Sequence, residues 1–175
     1  MINTKRLEFR KYTMEDLDFL VSMTSDPDVM KYIGNGIPWT LEETKQRLEK
    51  FIGCYGLGEG MGLMLLINKQ DGIPIGHAGL VPQIVEGKSE TEIGYWISQN
   101  YWGQGYASEA AAACRDFGFQ TLNKERLVSI IQFENTGSKN VAKKTGMTFE
   151  REVDFNSKNV ALYSIDRKRE KNKGC

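Results

Sequence analysis

Apolar residues along this chain recur with two periods. In "RLEFRKYT" they alternate, which predicts a first strand, and in "TMEDLDFLVSMTSD" Leu17, Leu20 and Val21 fall at helical spacing behind a Thr13 cap. "DPDVMKYIG" predicts a short helix ended by Gly34. "TLEETKQRLEKFIG" predicts a longer one, with Thr40 and Glu43 as a capping box and Leu48, Phe51 and Ile52 on one stripe. A glycine-dense connection, "GCYGLGEGMG", then leads into three strands, "LMLLINK", "PIGHAGLVPQ" and "ETEIGYWIS", separated by turn residues. The rest predicts a helix over "ASEAAAACRDFGFQTL", a strand over "RLVSIIQFE", a short helix over "TGSKNVAKKTG", and two closing strands, "MTFEREVDF" and "VALYSIDR". The sum is an α/β (α+β) fold, a mixed sheet of about seven strands flanked by helices.

Composition narrows the classes. The chain has 175 residues, 40% of them hydrophobic and 26% charged, which suits one globular domain over residues 1–175. Lys plus Arg and Asp plus Glu are 23 each, so no net field points to nucleic acid or an anionic membrane, and the basic tail "DRKREKNKG" reads as a solvated end. The opening "MINTKRLEFRKYT" has no signal-peptide h-region, and no run of ~18 apolar residues predicts a membrane span. Cys54, Cys114 and Cys175 show no C-x-x-C spacing, which argues against a disulfide framework or a zinc site and for a reducing cytoplasm; no metal is expected.

The chemistry concentrates in "EIGYWISQNYWGQGYASEA". A strand ending at Ser98 and a helix starting near Tyr106 place the amides of Gly103, Gln104, Gly105, Tyr106 and Ala107 at a helix N-terminus, where unpaired N–H groups favour an anion. Glycine lets a phosphate approach that backbone, although two glycines can equally make a plain tight turn. The third glycine of a dinucleotide fingerprint is absent, Ser108 standing there, and "GYAS" lacks the Lys and Ser/Thr of a P-loop. Nicotinamide and nucleotide-hydrolysis chemistry are thereby disfavoured.

"YWGQGYASEA" after "EIGYWIS", with "FENTGSKNVAKKTGM" further on, resembles the acetyl-CoA signature of the GCN5-related N-acetyltransferase (GNAT) superfamily, in particular its ribosomal-protein alanine and serine N-acetyltransferase branch. "RLEFRKYTMEDL", "PWTLEE" and "ALYSIDR" extend the resemblance over nearly the whole chain. It implies the GNAT fold, with a mostly antiparallel sheet, and acetyl-CoA as cosubstrate, with the pyrophosphate on the amides of residues 103–107. Trp102 departs from the Gln or Arg usual at the first loop position, which touches only a side-chain contact. The resemblance further places Trp96, Ile97 and Ser98 along the pantetheine arm, with an N–H near Ile97 on the acetyl oxygen. Asn135 would reach the arm and Ser138 the sulfur, although Asn135 and Ser138 also read as a helix cap and its N3 partner.

The activity implied is transfer of an acetyl group to a primary amine, a protein N-terminus or a small molecule, by direct attack in a ternary complex. Glu92 is the candidate base through water, or an exposed strand acid; Ser138 is the candidate acid for the leaving thiolate. Tyr32, Trp39, Phe155 and Tyr163 are candidate walls of the acceptor pocket or ordinary core. Glu59, Glu86 and Asp154 are too scattered to favour a polyamine. His77 reads as a half-buried strand histidine or pocket wall, Cys114 as buried and inert, and Cys54 as unactivated. A non-catalytic acyl-CoA sensor on the same fold is the alternative, and the chain is expected to be a monomer or a homodimer joined through its final strands.

Overall fold

The computed structural model describes residues 2–56, 58 and 60–168; Glu59, Cys175 and most of the basic tail lie outside them. Strand β1 (Leu7–Arg10) is followed by a single 3-10 turn, Met14–Asp16, and then helix α1 (Leu17–Thr24). The Asp16 carboxylate accepts from the Thr13 N–H at 2.8 Å, so the cap at Thr13 holds a 3-10 turn before α1 begins. Helix α2 (Pro27–Met30) is one turn, and the chain leaves it through turns at Gly34 and Gly36, both at positive φ. Helix α3 (Leu41–Cys54) opens on the expected capping box, Glu43 N–H donating to Thr40 Oγ1 at 3.3 Å and Thr40 N–H to Glu43 Oε2 at 2.8 Å.

Strands β2 (Gly62–Asn68), β3 (Ile73–Val85) and β4 (Lys88–Ile97) form the expected meander. The β3–β4 hairpin turns at Glu86 and Gly87, both at positive φ, and both strands run further toward it than the alternation predicts. Helix α4 (Tyr106–Gln120) then crosses to β5 (Arg126–Ile131). After helix α5 (Thr136–Lys144) come β6 (Thr148–Phe155) and β7 (Lys158–Asp166). The sheet order is β1-β2-β3-β4-β5-β7-β6 and every neighbouring pair is antiparallel except β4–β5.

Alternation along the strands sends successive side chains to the two faces of the sheet. Phe9, Leu66, Ile75, Leu80, Ile93 and Ile97 pack with Ala110, Ala111 and Cys114 of α4. Tyr12, Leu20, Leu48 and Leu65 form the core under α1 and α3. Small residues on α4 let it lie close to the sheet, and a Cβ at Gly118 would come within 3.0 Å of the Leu127 side chain. Cys114 is fully buried there, and burial pushes its thiol up to about 12, which makes it an inert packing group.

Candidate active site

The parallel pair β4–β5 meets in register at one position, Glu92 opposite Val128. Beyond it the Ser129 hydroxyl donates to the Ile93 carbonyl at 3.1 Å, a side chain doing what a ladder bond does elsewhere. The two strands therefore fork, and a cavity of about 620 Å³ opens from the fork. Gly103, Gly105, Tyr106 and Ala107 of the loop and the α4 start, Asn135 and Ser138 of the α5 start, and Tyr32, Glu92 and Gln132 all line it.

The glycine loop takes its shape from backbone that only glycine adopts easily. Gly103 has φ +72 and Gly105 φ +83, the latter as the N-cap of α4. A Cβ at Gly103 would meet nothing within 4 Å, so the space above it is open. Arg6 braces the loop from outside: its Nη1 donates to the Gln104 carbonyl at 2.9 Å, and its Nε is paired with Glu109 at 2.6 Å. The first-turn amides of α4 have no acceptor within their own helix, and they sit at the positive end of its dipole.

Glu92 is not an exposed strand acid. It lines the cavity, and burial pushes its carboxyl up to about 7, against the opposing pull of hydrogen bonds from Gln83 and from the Ile130 main chain. Gln83 Nε2 donates to Glu92 Oε2 at 2.7 Å. A carboxyl titrating near 7 is suited to taking a proton at neutral pH and passing it on. Asn135 caps α5, its Oδ1 accepting from the Ser138 N–H at 3.0 Å, and both residues line the cavity. The cap and the site are one feature.

Other expected site residues fall differently. Trp96 is among the lining residues, but its ring packs against His77 at 4.6 Å and its carbonyl lies against Gly76 of β3; the Ser98 N–H donates to Ile75 O at 2.9 Å. Ile97 turns its main chain the other way, toward the fork, because strand geometry alternates. Ser98 lines a second, smaller concavity, and the Gln104 side chain turns to Asn100, donating to its carbonyl at 3.1 Å. Of the four aromatic wall candidates, Tyr32 lines the cavity. Tyr163 is core beside α4, and Phe155 packs on the valine cluster of β5, β6 and β7. Trp39 meets Trp96 edge-on at 5.6 Å and is not among the lining residues. His77 is fully buried, with its Nδ1 2.9 Å from the Tyr12 hydroxyl.

Four lining or bracing residues make contacts that the motifs do not announce. They are Gln83 under Glu92; Tyr95, whose hydroxyl donates to the Ser138 carbonyl at 3.1 Å; Ser129 at the fork; and Trp102, whose indole N–H donates to Ile97 O at 2.6 Å. Each acts across a distance in sequence or through a main-chain group, and no local pattern announces that. Burial raises the Tyr95 hydroxyl well above the usual phenol range, so it stays protonated as a donor.

The family model described as the acetyltransferase (GNAT) domain matches residues 6–148. The chain belongs to the GNAT acetyltransferase family. An uncharacterized N-acetyltransferase of Bacillus subtilis, YnaD, is 36% identical over 85% of this chain and 83% of its own length. Among solved structures, the GNAT-family acetyltransferase from Bacillus anthracis superposes with a TM-score of 0.80 at 31% identity, covering 94% of this chain and 97% of that one. A ribosomal L7/L12 alpha-N-protein acetyltransferase in complex with coenzyme A reaches a TM-score of 0.77 at 18% identity, over 94% and 97% of the two chains, a likeness of fold. The seven-stranded sheet flanked by helices is the GNAT acyltransferase fold, and the chain is an acetyl-CoA-dependent acetyltransferase. Among the described residues no helix is long and apolar enough to cross a membrane.

Proposed function

We propose that this GNAT enzyme transfers the acetyl group of acetyl-CoA to a primary amine by direct attack in a ternary complex. The observation that carries the reading is the fork. One cavity joins the glycine loop at the start of α4 to a carboxyl held near pKa 7 at the point where β4 and β5 part. The pyrophosphate sits on the amides from Gly103 to Ala107, and the pantetheine arm lies between the strands, beside Asn135 and along the Tyr95 main chain. The Ile97 N–H donates to the thioester oxygen, where negative charge grows as the amine attacks.

Glu92, through a water, accepts the proton that the ammonium form of the acceptor must lose. The amine nitrogen then bonds to the carbonyl carbon, the C–S bond breaks, and the CoA thiolate takes a proton from Ser138 or a water it orders, a loss made good by the proton that the new amide nitrogen sheds. The acceptor enters past Lys31, Tyr32 and Gln132. Two carboxylates, Glu92 and Asp28, share the cavity lining with two lysines, Lys31 and Lys144, so the acidic charge is balanced and suits one amine rather than a polycation; a protein N-terminus or a singly aminated small molecule is the acceptor class. Cys54 and Cys114 are free, which agrees with work in a reducing cytoplasm.

The test is thiol release from acetyl-CoA with a panel of peptides, amino acids and amines, run on the wild type and on Glu92→Gln. Turnover on a single-amine acceptor, lost in the variant, is expected. CoA binding without turnover on any amine would replace the enzyme with an acyl-CoA sensor, and turnover confined to polyamines would overturn the acceptor class.

A further inference from the structure

The end of β4 is held by an unusual pair of bonds. The peptide linking Ile97 to Ser98 is fixed at both edges of the strand. Its N–H, that of Ser98, donates to Ile75 O of β3 at 2.9 Å, and its C=O, that of Ile97, accepts from Trp102 Nε1 at 2.6 Å. Trp102 is 47% exposed, so its indole N–H has water available and is nevertheless committed to this carbonyl. At the other end of the fork, Ser129 Oγ occupies the Ile93 carbonyl. Two side chains thus take the carbonyls that flank Tyr95 on the free edge of β4. A residue in a strand turns its N–H and C=O to the same side, so fixing the Ile97 carbonyl also sets the direction of the Ile97 N–H.

We propose that Trp102 is a positioning residue for the transfer step, its indole N–H locking the Ile97–Ser98 peptide so that the Ile97 N–H stays aimed at the acetyl oxygen. This inference rests on the acetyl-transfer reading given above. Trp102 immediately precedes Gly103, so the loop that holds the pyrophosphate also carries the group that braces the acetyl end. Seating of the cosubstrate and alignment of its thioester are then mechanically one event. An N–H that wanders by a fraction of an ångström loses much of its hold on developing charge, because its benefit depends on being fixed before the reaction starts. Binding of CoA itself, which has no acetyl oxygen, does not use that N–H.

The experiment is Trp102→Phe, which keeps an aromatic ring and removes the donor. Trp102 is half exposed and outside the buried core, so the variant should fold. Three readouts are compared with the wild type: the CoA dissociation constant by calorimetry, kcat and KM with the best acceptor, and hydrogen exchange at the Ile97 and Ser98 amides in the ligand-free protein. The expected result is CoA affinity within about twofold, kcat lowered about tenfold, and faster exchange at both amides. An unchanged kcat, or a loss of CoA affinity that accounts for the whole loss of activity, would overturn the positioning role. Unchanged exchange at both amides would overturn the lock whatever the activity does. A wild type that binds no CoA would instead overturn the acetyl-transfer reading, and the catalytic part of this proposal with it, while exchange still judges the lock.

Discussion

The Gln83 carboxamide donates to the Glu92 carboxylate at 2.7 Å across the β3–β4 pair, two residues off the direct cross-strand register, in which Glu92 faces Val81. The bond favours the charged form of a group that burial pushes the other way, and the balance leaves Glu92 near 7. If Glu92 is the base, kcat rises with pH through about 7 and levels off above it. Glu92→Gln, close in shape, should lower kcat roughly 100-fold or more and remove that rise, with CoA affinity retained. A variant with wild-type kcat at pH 8 would exclude Glu92 as the base.

Gln83→Leu should move the same limb upward. A hydrogen bond to a charged group contributes roughly 1.5–3 kcal/mol, so its removal shifts the limb by about one to two pH units. At pH 6.5 the variant is slower than the wild type; above the shifted limb the two converge. A uniform slowing at all pH values would show that Gln83 only supports the strand pair.

The glycine loop separates backbone strain from ligand crowding. Gly103→Ala forces an L-residue into φ +72 but meets no protein atom within 4 Å, so its cost to the free protein is about 1–2 kcal/mol. A phosphate seated on the amide would meet the new methyl. The CoA dissociation constant should therefore rise tenfold or more, well beyond the stability loss. Gly105→Glu should abolish the stabilisation by CoA altogether, which at ~100 times the dissociation constant is about 2.7 kcal/mol and several degrees in Tm. Thermal unfolding with and without CoA reads both.

The elements of this fold were legible because their signals are local. Thr40 and Glu43 announce a helix start three residues apart, and the alternation in "EIGYWIS" announces a strand with two working faces. The insertion of β7 between β5 and β6 has no such signal, because pairing is decided by packing between segments distant in sequence. The same divide runs through the site. Gly103, Gly105 and the Asn135 cap are written in short motifs, whereas the burial that raises the Glu92 pKa comes from β5 lying beside β4, and its Gln83 partner from the neighbouring strand. Trp39, Phe155 and Tyr163 were ambiguous for a related reason. Aromatic character alone does not distinguish a cavity wall from a core.

His77, the only histidine, shows how buried groups set the response to pH. It is closed in by Tyr12, Phe51 and Trp96, its Nε2 has no hydrogen-bond partner among the described residues, and burial pulls its pKa down to about 3. The unfolded chain, with its histidine near 6.5, takes up a proton that the native state refuses, so this group lowers native stability as pH falls from about 6.5 toward 3. Glu92 works in the opposite sense. Its native carboxyl binds a proton more tightly than the unfolded one near 4.3, so its contribution grows as pH falls through about 7 and is lost as pH rises again. Between about 4.5 and 6.5 the two slopes have equal size and opposite sign, about 1.4 kcal/mol per pH unit each, and the wild type should show little pH dependence from them. The variants pull the slopes apart: on going from pH 7.5 to 5, His77→Phe gains stability relative to the wild type by about 2 kcal/mol, and Glu92→Gln loses a comparable amount. Denaturant unfolding at the two pH values measures both. If the variants keep the wild-type pH profile, neither group is buried as described, and the proposed role of Glu92 as the base loses its support.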